Sequence, residues 1–219
     1  MKDFIITIDG PCGAGKTTIA KALAKKFDAI YLDTGGIYRM LAYAIDNGID
    51  LDDTNARYDK DKNLCLSARG RALGDEIRTQ HISDLSSKIS TEKDIRDRVT
   101  AICRKIVKGH AIIAEGRDTG TVLFPDADAK FYLTAKTSSR AARRLDQSPG
   151  QYDTVEDSVK AIVDRDRRDM SRELAPLPSI QEAERQHMTI VDSTEMSLQD
   201  TIDHIAMLAE NAIVTKHST

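Results

Sequence analysis

Short apolar runs alternate with longer stretches of helical periodicity along most of this chain. Phe4-Ile-Ile-Thr-Ile8 is a β-branched run closed by Asp9-Gly10-Pro11, and residues 15–27 then carry apolar groups at Ile19, Ala22, Leu23 and Phe27. That order predicts strand, glycine-rich loop and helix. Short apolar runs at 29–32, 111–114, 131–133 and 189–191 predict four more strands. Helical spacing covers 35–47, 82–107, 137–146, 154–171 and 197–213, and the second of these carries Leu85, Ile89, Ile95, Val99, Ile102 and Ile106. Strands separated by helices predict an α/β fold in which a parallel sheet is covered on both faces. Residues 48–81 break the alternation, because Asn47-Gly48, Arg69-Gly70 and Leu73-Gly74-Asp75 occur with short apolar pieces such as Leu64-Cys-Leu66 and predict a small insertion with hairpins.

A length of 219 residues favours one domain with insertions over two full-sized domains. Hydrophobic residues at 40% and charged residues at 31% fit a globular chain with a sizeable core and argue against wholesale disorder. The net charge of −3 excludes a global field for a nucleic acid polymer or an anionic membrane, so phosphate binding has to be local. Seven arginines, Arg140, Arg143, Arg144, Arg165, Arg167, Arg168 and Arg172, crowd into one segment and supply that local charge. Cys12, Cys65 and Cys103 are odd in number and lack metal-ligand spacing, which points to a reducing, cytoplasmic setting. No signal core or membrane-length apolar run is visible, and a soluble monomer is expected.

Gly10-Pro11-Cys12-Gly13-Ala14-Gly15-Lys16-Thr17 matches G-x-x-x-x-G-K-[ST] between a predicted strand and a predicted helix. Glycines let successive N–H groups face an anion, and the following helix aims the positive end of its dipole at the same point. An ATP-binding loop formed by residues 10–18, ending in Thr18, follows. Lys16 is expected on the β- and γ-phosphates and the Thr17 hydroxyl on Mg²⁺. Cys12 owes its place in the loop to its size. A phosphate loop alone does not separate kinases from other nucleotide hydrolases. The Asn-Lys-x-Asp guanine element of GTPases is missing, and so is the long apolar strand ending in Asp of motor ATPases. The arginine cluster, with its Ser148-Pro149-Gly150 break, instead suggests a lid that closes over two phosphorylated molecules.

Five blocks give this reading a family. Ile8-Asp-Gly-Pro-Cys-Gly-Ala-Gly-Lys16, Tyr31-Leu-Asp-Thr-Gly-Gly-Ile-Tyr-Arg39 and Asp75-Glu-Ile-Arg-Thr79 come first, then Glu115-Gly-Arg-Asp-Thr-Gly-Thr-Val-Leu-Phe-Pro-Asp126 and Arg165-Asp-Arg-Arg-Asp-Met-Ser-Arg-Glu-Leu-Ala-Pro176. In this order they resemble bacterial cytidylate kinases from about residue 4 to about residue 208. The resemblance implies a three-layer P-loop kinase fold with a five-stranded parallel sheet, a nucleoside monophosphate-binding insertion and a short lid. On that plan one domain spans 1–219, with core 1–47, 82–146 and 172–213, insertion 48–81 and lid 147–171. The implied reaction is ATP-dependent phosphorylation of CMP, and of dCMP, with Mg²⁺ accompanying ATP.

Carried over residue by residue, the resemblance places Thr34 and Arg39 on the acceptor nucleotide, Arg39 on its phosphate. Arg117 and Arg172 fall on further phosphate-binding positions and join Lys16 as the catalytic set. Ser87, Arg96 and Asp118 fall on the base-reading positions, and Arg165 with Asp169 on the ribose contacts. Asp118 suits cytosine, since a carboxylate accepts from the exocyclic amino group and has nothing to donate to the O4 of uracil. This chain departs from the family pattern in having Thr34 and Cys12 for Ser, and Glu115 for Asp. Arg140, Arg143, Arg144, Arg167 and Arg168 stay open between a lid role and a solvated helix face. Tyr38 and Tyr43 are read as packing residues. The alternatives are a P-loop kinase of another small metabolite, which would not need a base-reading set, and a nucleotide-dependent switch.

Overall fold

The computed structural model describes residues 3–147, Tyr152 and residues 154–217. Five strands, β1 (Ile5–Asp9), β2 (Ile30–Asp33), β6 (Ile112–Gly116), β7 (Ala129–Thr134) and β8 (Thr189–Asp192), form one parallel sheet in the order β2-β6-β1-β7-β8. Three more, β3 (Thr54–Tyr58), β4 (Leu64–Ala68) and β5 (Arg71–Ala72), make the antiparallel sheet expected of the 48–81 segment. All five predicted core strands form within two residues of their expected ends. Continuous apolar sequence buries them on both faces, and Ile6, Ile8, Leu32, Ile113 and Leu133 are fully enclosed.

Two hydrophobic layers flank the sheet. On one side α1 (Lys16–Lys26) and α8 (Leu198–His217) pack Ile19, Leu23, Ile205 and Ala209 against Phe4, Ile6 and Phe131. On the other, α2 (Thr34–Asp46) packs Ile37, Met40 and Leu41 against Leu66 of the small sheet. That second layer also contains Ile82 and Ile89 of α3 (Gln80–Ile89) and Ile95, Val99 and Cys103 of α4 (Lys93–Ile106). The single helix expected over 82–107 is therefore two helices. Ser90 and Thr91 turn their hydroxyls back onto the carbonyls of Ser87 and Lys88, both at 2.8 Å, and end α3 there. Apolar periodicity runs across the break because both helices face the same core.

Of the expected lid, residues 148–151 and 153, including the Ser-Pro-Gly break, lie outside the described residues. On either side of them, α5 (Thr137–Gln147) and α6 (Val155–Met170) pack together, with Ala141 and Ile162 fully buried beside Cys12. A short helix that periodicity did not disclose, α7 (Ile180–Arg185), starts at a capping box between Ser179 and Glu182. Among the described residues no helix is long and apolar enough to cross a membrane.

Register brings the carboxyl ends of three strands level. Asp33 lies opposite Glu115, and Asp9 lies opposite Gly116 and Tyr132. Ligands of open α/β sheets bind in the crevice outside these ends. Directly beyond β1, Gly10 has φ +148°, and a Cβ there would stand 2.0 Å from the Leu133 carbonyl oxygen. Gly10→Ala is expected to cost more than about 3 kcal/mol in urea unfolding. Gly48→Ala, at φ +61° with no atom within 4 Å of the new Cβ, should cost about 1 kcal/mol. Equal losses for the two would refute the close contact.

Candidate active site

The phosphate loop forms because α1 starts without a side-chain cap. Its N-cap is Gly15 in the left-handed region at φ 94°, and no acidic residue lies in the first turn, so the leading N–H groups and the dipole remain open to an anion. Lys16 lies back over the loop, and its Nζ donates to the carbonyls of Gly10 and Pro11, each at 2.8 Å. Burial, with Arg117 nearby, pushes the Lys16 ammonium down to about 7. A triphosphate brought beside it would reverse that shift.

One cleft of about 260 Å³ joins this loop to the rest of the expected site. Cys12, Gly13, Gly15, Lys16, Thr17 and Thr18 line it, together with Thr34, Arg39, Ser87, Arg117, Asp118, Arg165, Asp169 and Arg172. Gly10 and Pro11 act through their carbonyls, Ala14 faces a neighbouring cavity, and Arg96 stands behind Asp118. Tyr38, read only as a packing residue, packs on the core and also lines the cleft. Six of the lining residues are cationic against four acidic, in a chain whose net charge is −3. Buried Nε atoms of Arg39, Arg165 and Arg172 have no hydrogen-bond partner within the protein. Such orphaned donors fit an incoming anion.

Each wall is set by local chemistry. Asp33 caps α2 by accepting from the Gly36 N–H at 2.7 Å and also pairs with Arg39 at 2.8 Å, fixing that guanidinium one turn into the helix. Thr34 donates to the Glu115 carbonyl at 2.7 Å. Asp169, 1% exposed, receives Arg117 Nε at 2.8 Å, the Arg172 guanidinium and the Ser87 hydroxyl at 3.3 Å. Burial would raise its carboxyl, but Arg117 and Arg172 outweigh that and hold it below the usual range. Asp118 pairs with Arg96, which also donates to the Ser90 carbonyl at 3.2 Å. The Glu115 carboxylate accepts from Thr17 Oγ1 at 3.1 Å and from the Tyr31 hydroxyl, and burial and Asp33 push it upward.

Several residues at the site were not singled out in the sequence. Asp9 is fully buried, and burial pushes its carboxyl up to about 6. Arg78 reaches the cleft from the insertion. Three arginines left open between lid and solvent belong to the loop. Arg140 donates to the Cys12 carbonyl at 2.8 Å and to Asp166 at 2.5 Å, Arg143 reaches Ser193, and Arg144 contacts the Cys12 sulfur. Asp166 in turn accepts from the Cys12 N–H at 2.9 Å. Spacing of three and four along α5 was the available signal, since it puts all three guanidinium groups on one face. Arg167 is exposed, and Arg168 pairs with Asp84 at 2.9 Å. The Cys12 thiol is held below its usual value, because Arg165 and Arg144 outweigh the effect of burial.

The sheet order and the loop define a P-loop kinase fold. Solved structures agree at the level of fold. An uncharacterized protein from Eubacterium ventriosum ATCC 27560 superposes with TM-score 0.61 at 13% identity, covering 96% of this chain and 99% of its own. A shikimate kinase from Bacteroides thetaiotaomicron gives 0.53 at 13% identity, covering 94% and 98%. In sequence, residues 6–211 match the cytidylate kinase family. The cytidylate kinase of Thermosipho melanesiensis is 38% identical over 91% of this chain and 94% of its own length, and that of Fusobacterium nucleatum subsp. nucleatum is 35% identical over 96% and 99%. The chain belongs to the cytidylate kinase family.

Asp169 supports a test of this charge arrangement. A carboxyl depressed in the folded state contributes stability that is present above its unfolded value near 3.8 and lost as pH falls through the folded one. Asp169→Asn should therefore cost about 3 kcal/mol at pH 7, and the gap to wild type should narrow below about pH 4. Urea unfolding of both proteins at pH 7 and pH 3.5 measures this. A gap of the same size at both would refute the ion pairs as its source.

Proposed function

We propose that this chain transfers the γ-phosphoryl group of ATP to CMP, and to dCMP, by direct in-line displacement. The carrying observation is that a single cleft contains both an uncapped helix N-terminus with Lys16 and a wall of Arg39, Arg117, Arg172, Ser87 and Asp118. Two phosphates of opposite origin meet where Arg117 lies near Lys16. Guanidinium forks suit a dianionic acceptor phosphate better than ammonium groups do. The second cavity, about 210 Å³, shares Gly15 and Thr18 with the cleft and adds Arg143, Ser193, Met196 and Leu198, which makes it the natural seat for the donor's base.

The acceptor oxygen is already anionic near neutral pH, so no strong general base is needed. Catalysis rests on alignment, exclusion of water and neutralisation of charge by Lys16, Arg117 and Arg172. Among the described residues no cluster of three or more His, Cys, Asp and Glu could enclose a metal. That fits Mg²⁺ held largely by phosphate oxygens, with the Thr17 hydroxyl as protein ligand and the Glu115 carboxylate hydrogen-bonded to it. Magnesium bound there would supply further charge neutralisation. The 48–81 insertion and the lid close over the two nucleotides on this reading, and Arg78 approaches the acceptor as they do.

A coupled assay of ADP formation with and without CMP tests the reaction itself. Folded Lys16→Met should lose most turnover, because the ammonium acts on transferring charge and not on packing. Near wild-type turnover would remove the phosphate loop from the mechanism. For the base, kcat/KM should favour CMP over UMP by on the order of a hundredfold, since UMP would set its O4 acceptor against Asp118. Asp118→Ala should reduce CMP activity far more than UMP activity. If the ratio is unchanged, Asp118 does not read the base.

A further inference from the structure

Asp9 stands at the end of the central strand, fully buried, with its two carboxylate oxygens facing the segment that follows β6. Oδ1 accepts from the Thr119 N–H at 2.9 Å and the Thr119 hydroxyl at 2.7 Å, and Oδ2 accepts from the Gly120 N–H at 2.7 Å. All three donors belong to one π-helical turn, Thr119–Leu123, whose opening carbonyl is that of Asp118. Thr119 and Gly120 carry the leading N–H groups of that turn, which has no cap from its own side chains. The ion pairs of the described residues give Asp9 no cation. A buried carboxylate without one is costly to keep, and here three donors on one turn offset that cost, donors that an apolar side chain would leave unsatisfied.

We propose that Asp9 is a positioning residue for the acceptor side of the site, acting through the turn that carries Arg117 and Asp118. This rests on the reading above that those two residues contact CMP. The turn has little room to settle elsewhere. A Cβ on Gly120 would lie 2.6 Å from the Thr7 hydroxyl, and one on Gly116 would lie 2.7 Å from both Thr119 Cγ2 and Thr34 Oγ1. Arg117 and Asp118 occupy the two positions between this anchored turn and the end of β6, so their side chains inherit its placement. Asp118 then meets Arg96 on α4, and Arg117 meets Asp169 on α6. One carboxylate thus sets the origin from which both reach their partners. Asparagine cannot replace it, because in either orientation its amide nitrogen would face an N–H donor.

The position of Asp9 immediately before the phosphate loop makes the discriminating readout a split between the two substrates. Wild type is assayed first, and a wild type with no CMP-dependent ADP formation would defeat the functional reading itself. For folded Asp9→Asn we expect the KM for CMP to rise tenfold or more, the CMP to UMP preference to narrow, and the KM for ATP to stay within twofold. Thr119→Val removes a single donor and leaves Asp9 in place, and it should shift the CMP KM in the same direction by two- to fivefold. If Asp9→Asn does not fold, Thr119→Val decides alone. Equal rises in both KM values, a fall in kcat with neither KM changed, or a Thr119→Val protein with wild-type CMP KM would each overturn the assignment while leaving the kinase reading intact.

Discussion

Several guanidinium groups must stand together in this cleft before any phosphate arrives, and like charges gathered in a partly buried space repel strongly. Asp169 resolves the conflict. With 1% of its surface exposed it holds Arg117 and Arg172, and the Ser87 hydroxyl completes its coordination. Asp33 does the same for Arg39, and Asp118 for Arg96. Each acidic partner comes from a different element, so the pairs also fix where α2, α4 and α6 lie relative to the sheet. Burying an ion pair adds little net stability, whereas removing one member strands the other. The arrangement favours placement of charge over gain in stability.

Such placement depends on contacts between distant segments, and this is where the sequence stopped being informative. The strands were readable because each is apolar throughout, and the phosphate loop because its glycines and lysine keep fixed spacing. The family blocks located Arg39, Arg117, Asp118 and Asp169, and the cleft brings them together. What spacing could not reveal was partnership. Arg140 and Arg144 looked no different from solvated residues, yet they meet the backbone and sulfur of Cys12, which lies more than 120 positions away. Asp9 was read as the end of a strand. A charged residue closing a buried run was the available signal, but its donors at Thr119 and Gly120 are set by tertiary register. The break between α3 and α4 was hidden because the apolar stripe serves both helices.

The arginines of α5 change how the phosphate loop should be understood. A loop of small residues has few side chains of its own to define its shape, and here α5 and α6 supply that definition from outside. Arg140 grips the Cys12 carbonyl, while Asp166 accepts from the N–H of the same residue. The Arg140 to Asp166 contact at 2.5 Å closes the circuit. The phosphate loop is consequently tied to both helices, and movement of α6 would be felt at the amide of Cys12 through Asp166.

Glu115 shows how the longer acid is accommodated. Its carboxylate accepts from both Thr17 and the Tyr31 hydroxyl, spanning α1 and β2. Lys16 is likewise engaged, on the carbonyls of Gly10 and Pro11. The groups that would act on phosphate thus already have partners within the protein: backbone carbonyls for Lys16, and carboxylates for Thr17, Arg39, Arg117 and Arg172. For Lys16 a bound phosphate would replace neutral carbonyl acceptors with a charged one, and the unpartnered Nε atoms of Arg39, Arg165 and Arg172 are the donors that would gain outright. A cleft arranged in this way is ordered before its substrates arrive and keeps buried guanidinium donors open for two phosphates.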